Sequence, residues 1–189
     1  MITEQFPLLI EAARGDGDVV SLTFDDGPNP ADTHRLLDVL RGHDVRAVFC
    51  LQGDQVERHP ETVRRIVADG HTLCNHSMHH DDMSTWTPER IAADLRETDA
   101  AIRRALPHAR IPYFRAPYGA WGQSPAVAAA LGMRPLGWRL AVADWETPAP
   151  TSWCAAWRRA SRPGRSCSCT TAAATAARPS TPSTGSSRS

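Results

Sequence analysis

From about residue 18 to residue 142 the chain alternates short apolar runs with amphipathic stretches, and this alternation constrains the fold more than any other feature. Residues 18–24 (DVVSLTF) and 46–51 (RAVFCL) read as buried strands, and 33–41 as a helix with Leu36, Leu37 and Leu40 on one face. A helix over 60–69 stops at Gly70, where a left-handed cap residue is favoured, and 71–74 follows as a third strand. Thr87 as N-cap and Pro88 at the first helical position open a long helix to residue 106. A strand at 111–114, a helix at 124–131 and a strand pair across 133–142 complete the pattern. Repeated strand–helix units specify an α/β fold with a parallel sheet and crossover helices, open or closed into a barrel.

Charge and composition narrow the function. With 21 basic and 21 acidic residues the net charge is zero, so electrostatics make no case for nucleic acid or an anionic membrane. No apolar run approaches the ~20 residues of a membrane span. Residues 1–10 lack a basic start and an adequate apolar core for a signal peptide. The expectation is a soluble monomer, cytoplasmic as written and extracellular if a leader precedes it.

All 21 basic residues are Arg, which points to a GC-rich gene. Residues 1–150 hold 15 Arg and every acid, whereas 151–189 hold six Arg and no acid. The predicted division is a catalytic domain over 1–164 and a tail over 165–189. That tail is Ser, Thr, Ala, Pro and Arg with two Cys, one Gly and no aromatic, a composition read as disordered.

The candidate chemistry sits at strand ends. Asp25 and Asp26 close the first strand before Gly27 and Pro28, at the carboxyl edge where parallel α/β sheets place their sites. Adjacent residues on extended backbone point to opposite sides, so the two carboxylates can take separate tasks, one on a metal and one on a proton. In Asn75-His76-Ser77-Met78-His79-His80-Asp81 the i, i+4 spacing of His76 and His80 puts both imidazoles on one face of a helical turn. Two His and one Asp make an N/N/O ligand set with positions open for water and substrate, suited to catalytic Zn²⁺, with Co²⁺ or Ni²⁺ as alternatives. His79 reads as surface, and His71 as a hydrogen-bonded core residue. Phe114-Arg115-Ala116-Pro117-Tyr118-Gly119 ends another strand: Arg115 can orient a buried carboxylate, and a turn N–H can face an oxyanion. Asp144-Trp145 follows a further strand, with Asp144 a partner for Arg115 and Trp145 an apolar wall.

Taken together, Thr23-Phe24-Asp25-Asp26-Gly27, His76-Ser77-Met78-His79-His80, Arg115-Ala116-Pro117-Tyr118 and Asp144-Trp145 resemble the polysaccharide deacetylases of the NodB-homology type, carbohydrate esterase family 4. The resemblance covers about residues 18–160. It implies a distorted (β/α) barrel and a metal-dependent hydrolase removing N-acetyl, or O-acetyl, groups from a carbohydrate containing N-acetylglucosamine. It further implies Asp25 as general base on a metal-bound water, with Asp26, His76 and His80 as metal ligands. Arg115 would tether Asp25, the Tyr118 N–H would stabilise the oxyanion, Asp144 would support Arg115, and Pro117 and Trp145 would line the substrate pocket.

One motif of the family is absent: an apolar strand ending in His near the C-terminus, which protonates the leaving amine. The last His of this chain is His108. Where the motif belongs stands Arg165-Ser166-Cys167-Ser168-Cys169-Thr170-Thr171. With G or C at the wobble positions, those codons in a shifted frame encode Val-Leu-Leu-Leu-His-Asp-Gly, an apolar strand ending in His. The sequence-level expectation is therefore a barrel whose last strand and helix are missing or disordered. Two other readings follow: a same-barrel amidohydrolase acting on a non-sugar C–N bond, and a metal- or glycan-binding remnant disabled by the lost His. Cys50 and Cys74 read as buried small apolar residues.

Overall fold

The computed structural model describes residues 9–12, 20–141 and 166–170. Its strands are β1 (Ser21–Gly27), β2 (Val48–Leu51), β3 (Thr72–Asn75), β4 (Tyr113–Phe114), β5 (Arg134–Pro135), β6 (Leu140–Ala141) and β7 (Ser166–Thr170). All pair in parallel, in the order β5-β4-β3-β2-β1-β7-β6. The helices are α1 (Pro30–Gly42), α2 (Gly53–Arg58), α3 (Pro60–Ala68), α4 (Pro88–Ala105) and α5 (Ser124–Ala130). Parallel strands need crossovers, and helices covering them make the strands apolar on both faces. Phe49, Cys50 and Leu51 are accordingly buried in succession.

The two edge strands of this sheet are almost adjacent in sequence. A flat seven-stranded sheet is roughly 29 Å wide at about 4.8 Å per strand. The chain from Pro135 to Leu140 reaches roughly 17 Å at most. The sheet must therefore curl towards closure, which is the distorted barrel expected. Ile10 lies at the seam: its N–H donates to Pro135 O at 2.9 Å and its carbonyl accepts the Gly137 N–H at 2.9 Å.

The main core fills the space between sheet and helices, where Leu37, Leu40, Val63, Ile66, Ile91, Leu95 and Ile102 meet Phe24, Phe49, Leu73 and Phe114. A smaller cluster of Cys50, Cys74 and Leu136 is separate from it, and both thiols are free and buried. Among the described residues, no helix is long and apolar enough to cross a membrane.

Several sequence-level expectations are corrected. The residues read as a strand pair across 133–142 form β5 and β6, which lie at opposite edges of the sheet rather than beside each other. The helix α2 was not expected, because six residues carry no readable period. Within the tail read as disordered, Ser166–Thr170 forms a strand seated between β1 and β6. A ladder is made by backbone groups, so the open edge of β1 can organise a segment whose composition does not announce a strand. Other features match. Thr87 caps α4 by accepting the Arg90 N–H at 3.4 Å, and His71 Nδ1 accepts the Ala47 N–H at 3.2 Å in the core.

Candidate active site

β1 runs past Phe24 into the site, and the register with β2 shifts between Phe24 and Gly27. Within that irregularity Asp26 has a φ of 66°, a left-handed conformation that Asp tolerates better than most residues. The two carboxylates consequently diverge, as expected, although a bulge does this rather than a plain pleat. Asp25 turns to Arg115, and Asp26 turns to His76 and His80.

The ligand cluster is built without a helical turn. Residues 76–80 form a loop after β3, with Ser77 at φ 66° and His80 at φ 60°. His80 N–H donates to Ser77 Oγ at 2.9 Å, and Ser77 N–H donates to Asn75 Oδ1 at 3.0 Å, so the loop folds back on itself. This brings His76 Nε2 to 3.2 Å and His80 Nε2 to 3.0 Å from Asp26 Oδ1. All three potential ligand atoms lie within 4.8 Å of one another.

The protonation pattern suits a cation. His76 Nδ1 lies 2.9 Å from Arg115 O. A carbonyl can only accept, so Nδ1 carries a proton, which leaves Nε2, facing Asp26, as the nitrogen whose lone pair a cation would take when the ring is neutral. Among the described residues, buried Asp26 Oδ1 has no well-aligned hydrogen-bond donor; its contacts with the imidazoles are ion-pair distances. Two nitrogen lone pairs and an orphaned carboxylate oxygen facing one another are what a bound metal ion would satisfy. With protons on their Nε2 atoms instead, the same two imidazoles would outweigh the burial of Asp26, which acts to raise its carboxyl, and hold it well below the usual carboxylate range.

Arg115 is wholly buried, and groups of β1 and of the residues after β5 fix its guanidinium. Nη1 donates to Asp25 Oδ1 at 2.6 Å and Thr23 Oγ1 at 2.8 Å, Nε to Leu136 O at 3.0 Å, and Nη2 to Gly137 O at 3.2 Å. Burial works against its charge, and the neighbouring Cys50 and Asp25 groups outweigh it and push its pKa above the usual arginine range. The Trp138 ring lies 5.3 Å from the guanidinium carbon.

Tyr118 follows Arg115 in a short 3₁₀ turn, Pro117–Gly119, and has a φ of 57°. Its ring is 72% exposed and meets His80 edge-on, with centroids 4.5 Å apart. Pro117 is buried at the first position of the turn. The Gly119 and Ala120 N–H groups close onto Ala116 and Pro117 carbonyls, and the Tyr118 N–H closes onto neither. Asp144 and Trp145 lie outside the described residues. The structure thus brings together Asp25, Asp26, His76, His80, Arg115 and Tyr118. Sequence reasoning missed Thr23 and the Leu136 and Gly137 carbonyls. Backbone acceptors have no residue-type signature, and Thr23, although part of the first motif, carries no signal of its own for an arginine partner.

The family model for polysaccharide deacetylase matches residues 12–136. The chain is 39% identical over 155 residues to a chitooligosaccharide deacetylase of Rhizobium leguminosarum bv. trifolii, covering 82% of this chain and 72% of the relative. Among solved structures it is similar to a family 4 carbohydrate esterase from Streptomyces lividans in complex with acetate, with 29% identity, a TM-score of 0.72, and coverage of 82% of this chain and 79% of the other. It also matches a family 4 pseudoenzyme from Bacillus anthracis at 25% identity and a TM-score of 0.80, covering 87% of this chain and 59% of that one. The motif residues, their convergence at the sheet's carboxyl edge and these likenesses agree: the chain belongs to the polysaccharide deacetylase family.

Proposed function

We propose that this chain hydrolyses N-acetyl groups on chitin-type oligosaccharides, with Asp26, His76 and His80 holding a divalent cation, Zn²⁺ ahead of Co²⁺ or Ni²⁺, and Asp25 as general base. The observation that carries the reading is the buried Asp26 Oδ1, without an aligned donor, facing two imidazole Nε2 atoms beside an arginine-fixed second carboxylate. The similarity to a chitooligosaccharide deacetylase supports the substrate class. When bound, the cation polarises the acetyl carbonyl and acidifies water.

The chain's own residues supply the rest. Arg115, immobilised by Thr23 and two backbone carbonyls, holds Asp25 Oδ1 in place, so the carboxylate accepts the proton of the attacking water without first reorganising. The Tyr118 N–H is the donor proposed for the oxyanion, Pro117 sets its turn, Trp145 walls the acetyl group and Asp144 backs Arg115. Collapse of the tetrahedral adduct releases acetate, and the departing nitrogen must take up a proton. Asp25, having taken one from water, is the carrier this chain offers.

The absence of any His after His108 favours a second reading, an impaired family member whose residues beyond about 165 are translated out of frame. Acetate release from N-acetylglucosamine oligomers tests both. Release abolished by chelation, restored by Zn²⁺ and lowered about 10²–10⁴-fold by Asp25→Asn is the expected result. Release insensitive to both treatments would overturn the site assignment, and turnover only of non-sugar amides would favour the same-barrel amidohydrolase.

A further inference from the structure

The loop that carries His76 and His80 is held from two sides by groups outside the motif. From α2, the Gly53 N–H donates to Ser77 O at 3.0 Å and the Asp54 N–H to Met78 O at 3.0 Å. From α4, the Asp94 carboxylate accepts the Met78 N–H at 3.1 Å. The Asn75 side chain ties the base of the loop to the same helix, donating to Leu95 O at 2.9 Å and Asp99 Oδ1 at 3.0 Å. Met78 itself is packed tightly: a Cβ on Gly53 would lie 2.2 Å from Met78 Sδ and 3.2 Å from Met78 Cα.

Asp94 is the unusual member. It is 8% exposed on the inner face of α4, between buried Ile91 and Leu95. The structure pairs it with a backbone N–H and with no Arg, among the described residues. Burying a carboxylate on so little compensation is costly, and an apolar side chain there would bury more cheaply. A sequence that breaks the stability rule in this way does so most often where a site needs the group. The bond it makes falls midway between the two ligand histidines, in a segment whose Ser77 and His80 both adopt left-handed backbone. Such conformations persist only where the surroundings over-determine them.

We infer that Asp94 is a positioning residue for the metal site: by fixing Met78 against α4 it holds the Ser77–His80 turn in the form that sets His80 Nε2 against Asp26. The inference rests on the metal-site reading above and assigns it a support from an element that contributes no ligand. Losing a group that orients ligands costs about 10–100-fold in metal affinity.

The test is Co²⁺ titration of the full chain, followed by visible absorption, for wild type, Asp26→Ala, Asp94→Ala and Asp94→Asn, with circular dichroism and apo-protein melting run alongside. Asp94→Ala is expected to weaken Co²⁺ binding about 10–100-fold with an altered band. Asp94→Asn, whose amide oxygen still accepts the Met78 N–H, is expected to stay within a few-fold of wild type. If Asp94→Ala does not fold, Asp94→Ser, whose hydroxyl is too short to reach Met78, replaces it. Binding by the Ala or Ser variant within twofold of wild type, with an unchanged band, overturns the inference even if melting falls. Equal weakening by Asn and Ala overturns it as well, because the charge rather than the bond would then matter. A wild type that binds no Co²⁺, or an Asp26→Ala variant that binds as wild type does, sinks the metal-site reading and this inference with it.

Discussion

Arg115 shows how much of this site depends on one side chain. Its guanidinium, itself wholly buried, satisfies a carboxylate, a threonine hydroxyl and two carbonyls. Arg115→Met keeps the bulk and removes every donor, leaving Asp25, Leu136 O and Gly137 O without this partner. The expected loss is about 3–5 kcal/mol, the usual result of breaking one side of a buried ion pair. Thermal unfolding of the variant measures it, and a Tm within a degree or two of wild type would refute the account. Lys is no substitute, since a single ammonium cannot span four acceptors in a plane. The part of this legible in the sequence was the pairing of Arg115 with a carboxylate. The three other acceptors were not, because two are backbone carbonyls just past β5, the strand beside β4, and the third is a hydroxyl in the middle of β1.

At the scale of elements, α4 couples the core to the ligand loop through Asp94. Burial raises the pKa of this carboxyl to about 6, the Met78 N–H partly opposing it, as does His79, while Asp81 and Glu97 add to it. A group whose folded pKa exceeds its unfolded one supports the fold fully below the unfolded value, and that support disappears as pH rises through the folded value. Asp94 therefore favours folding most below about pH 4 and loses about 3 kcal/mol of that contribution by pH 7. The difference in unfolding free energy between Asp94→Asn and wild type should accordingly shift toward the variant by most of that amount between pH 4 and 7. Denaturant titrations at both pH values measure the difference, and a pH-independent gap would contradict it. In the sequence, α1, α3, α4 and α5 were readable from apolar period, proline at the first turn and cap residues. The histidine loop was not. An i, i+4 spacing fits a helical turn, yet left-handed Ser77 and His80 achieve the same convergence with their bonds made to Asn75, α2 and α4. Asp94 likewise looks like any polar helix residue until its partner across the loop is known.

For the whole molecule, the important element is β7. A strand seated between β1 and β6 is ordinarily apolar on both faces, whereas Ser166–Thr170 reads Ser-Cys-Ser-Cys-Thr. Its register sets Thr170 level with Asp25. The shifted frame would lay Val-Leu-Leu-Leu-His along this same strand position, its His arriving at the level of Phe24 and Asp25. A chain carrying that frame should release acetate faster by about 10²–10⁴-fold, the usual contribution of a positioned proton donor, and should melt at higher temperature. Sequencing the gene supplies an independent check: codons for residues 165–171 incompatible with the shifted reading would dispose of it. The parallel sheet was foreseeable from strand–helix alternation, and its curl only from the family resemblance. The β7 strand was not, because its order comes from the β1 edge and not from its own residues.

The bridge at Ile10 gives the barrel seam a clock. The Gly137 amide is protected only while Ile10 O accepts it, and Gly137 O is at the same time a support of Arg115. Exchange of that single amide for deuterium would therefore report each opening of the seam, and each opening briefly withdraws the N-terminal brace from the residue whose carbonyl holds the arginine. Slow exchange there would mean that the seam seldom parts and that Ile10 stays tied, through Gly137, to the arginine that holds Asp25.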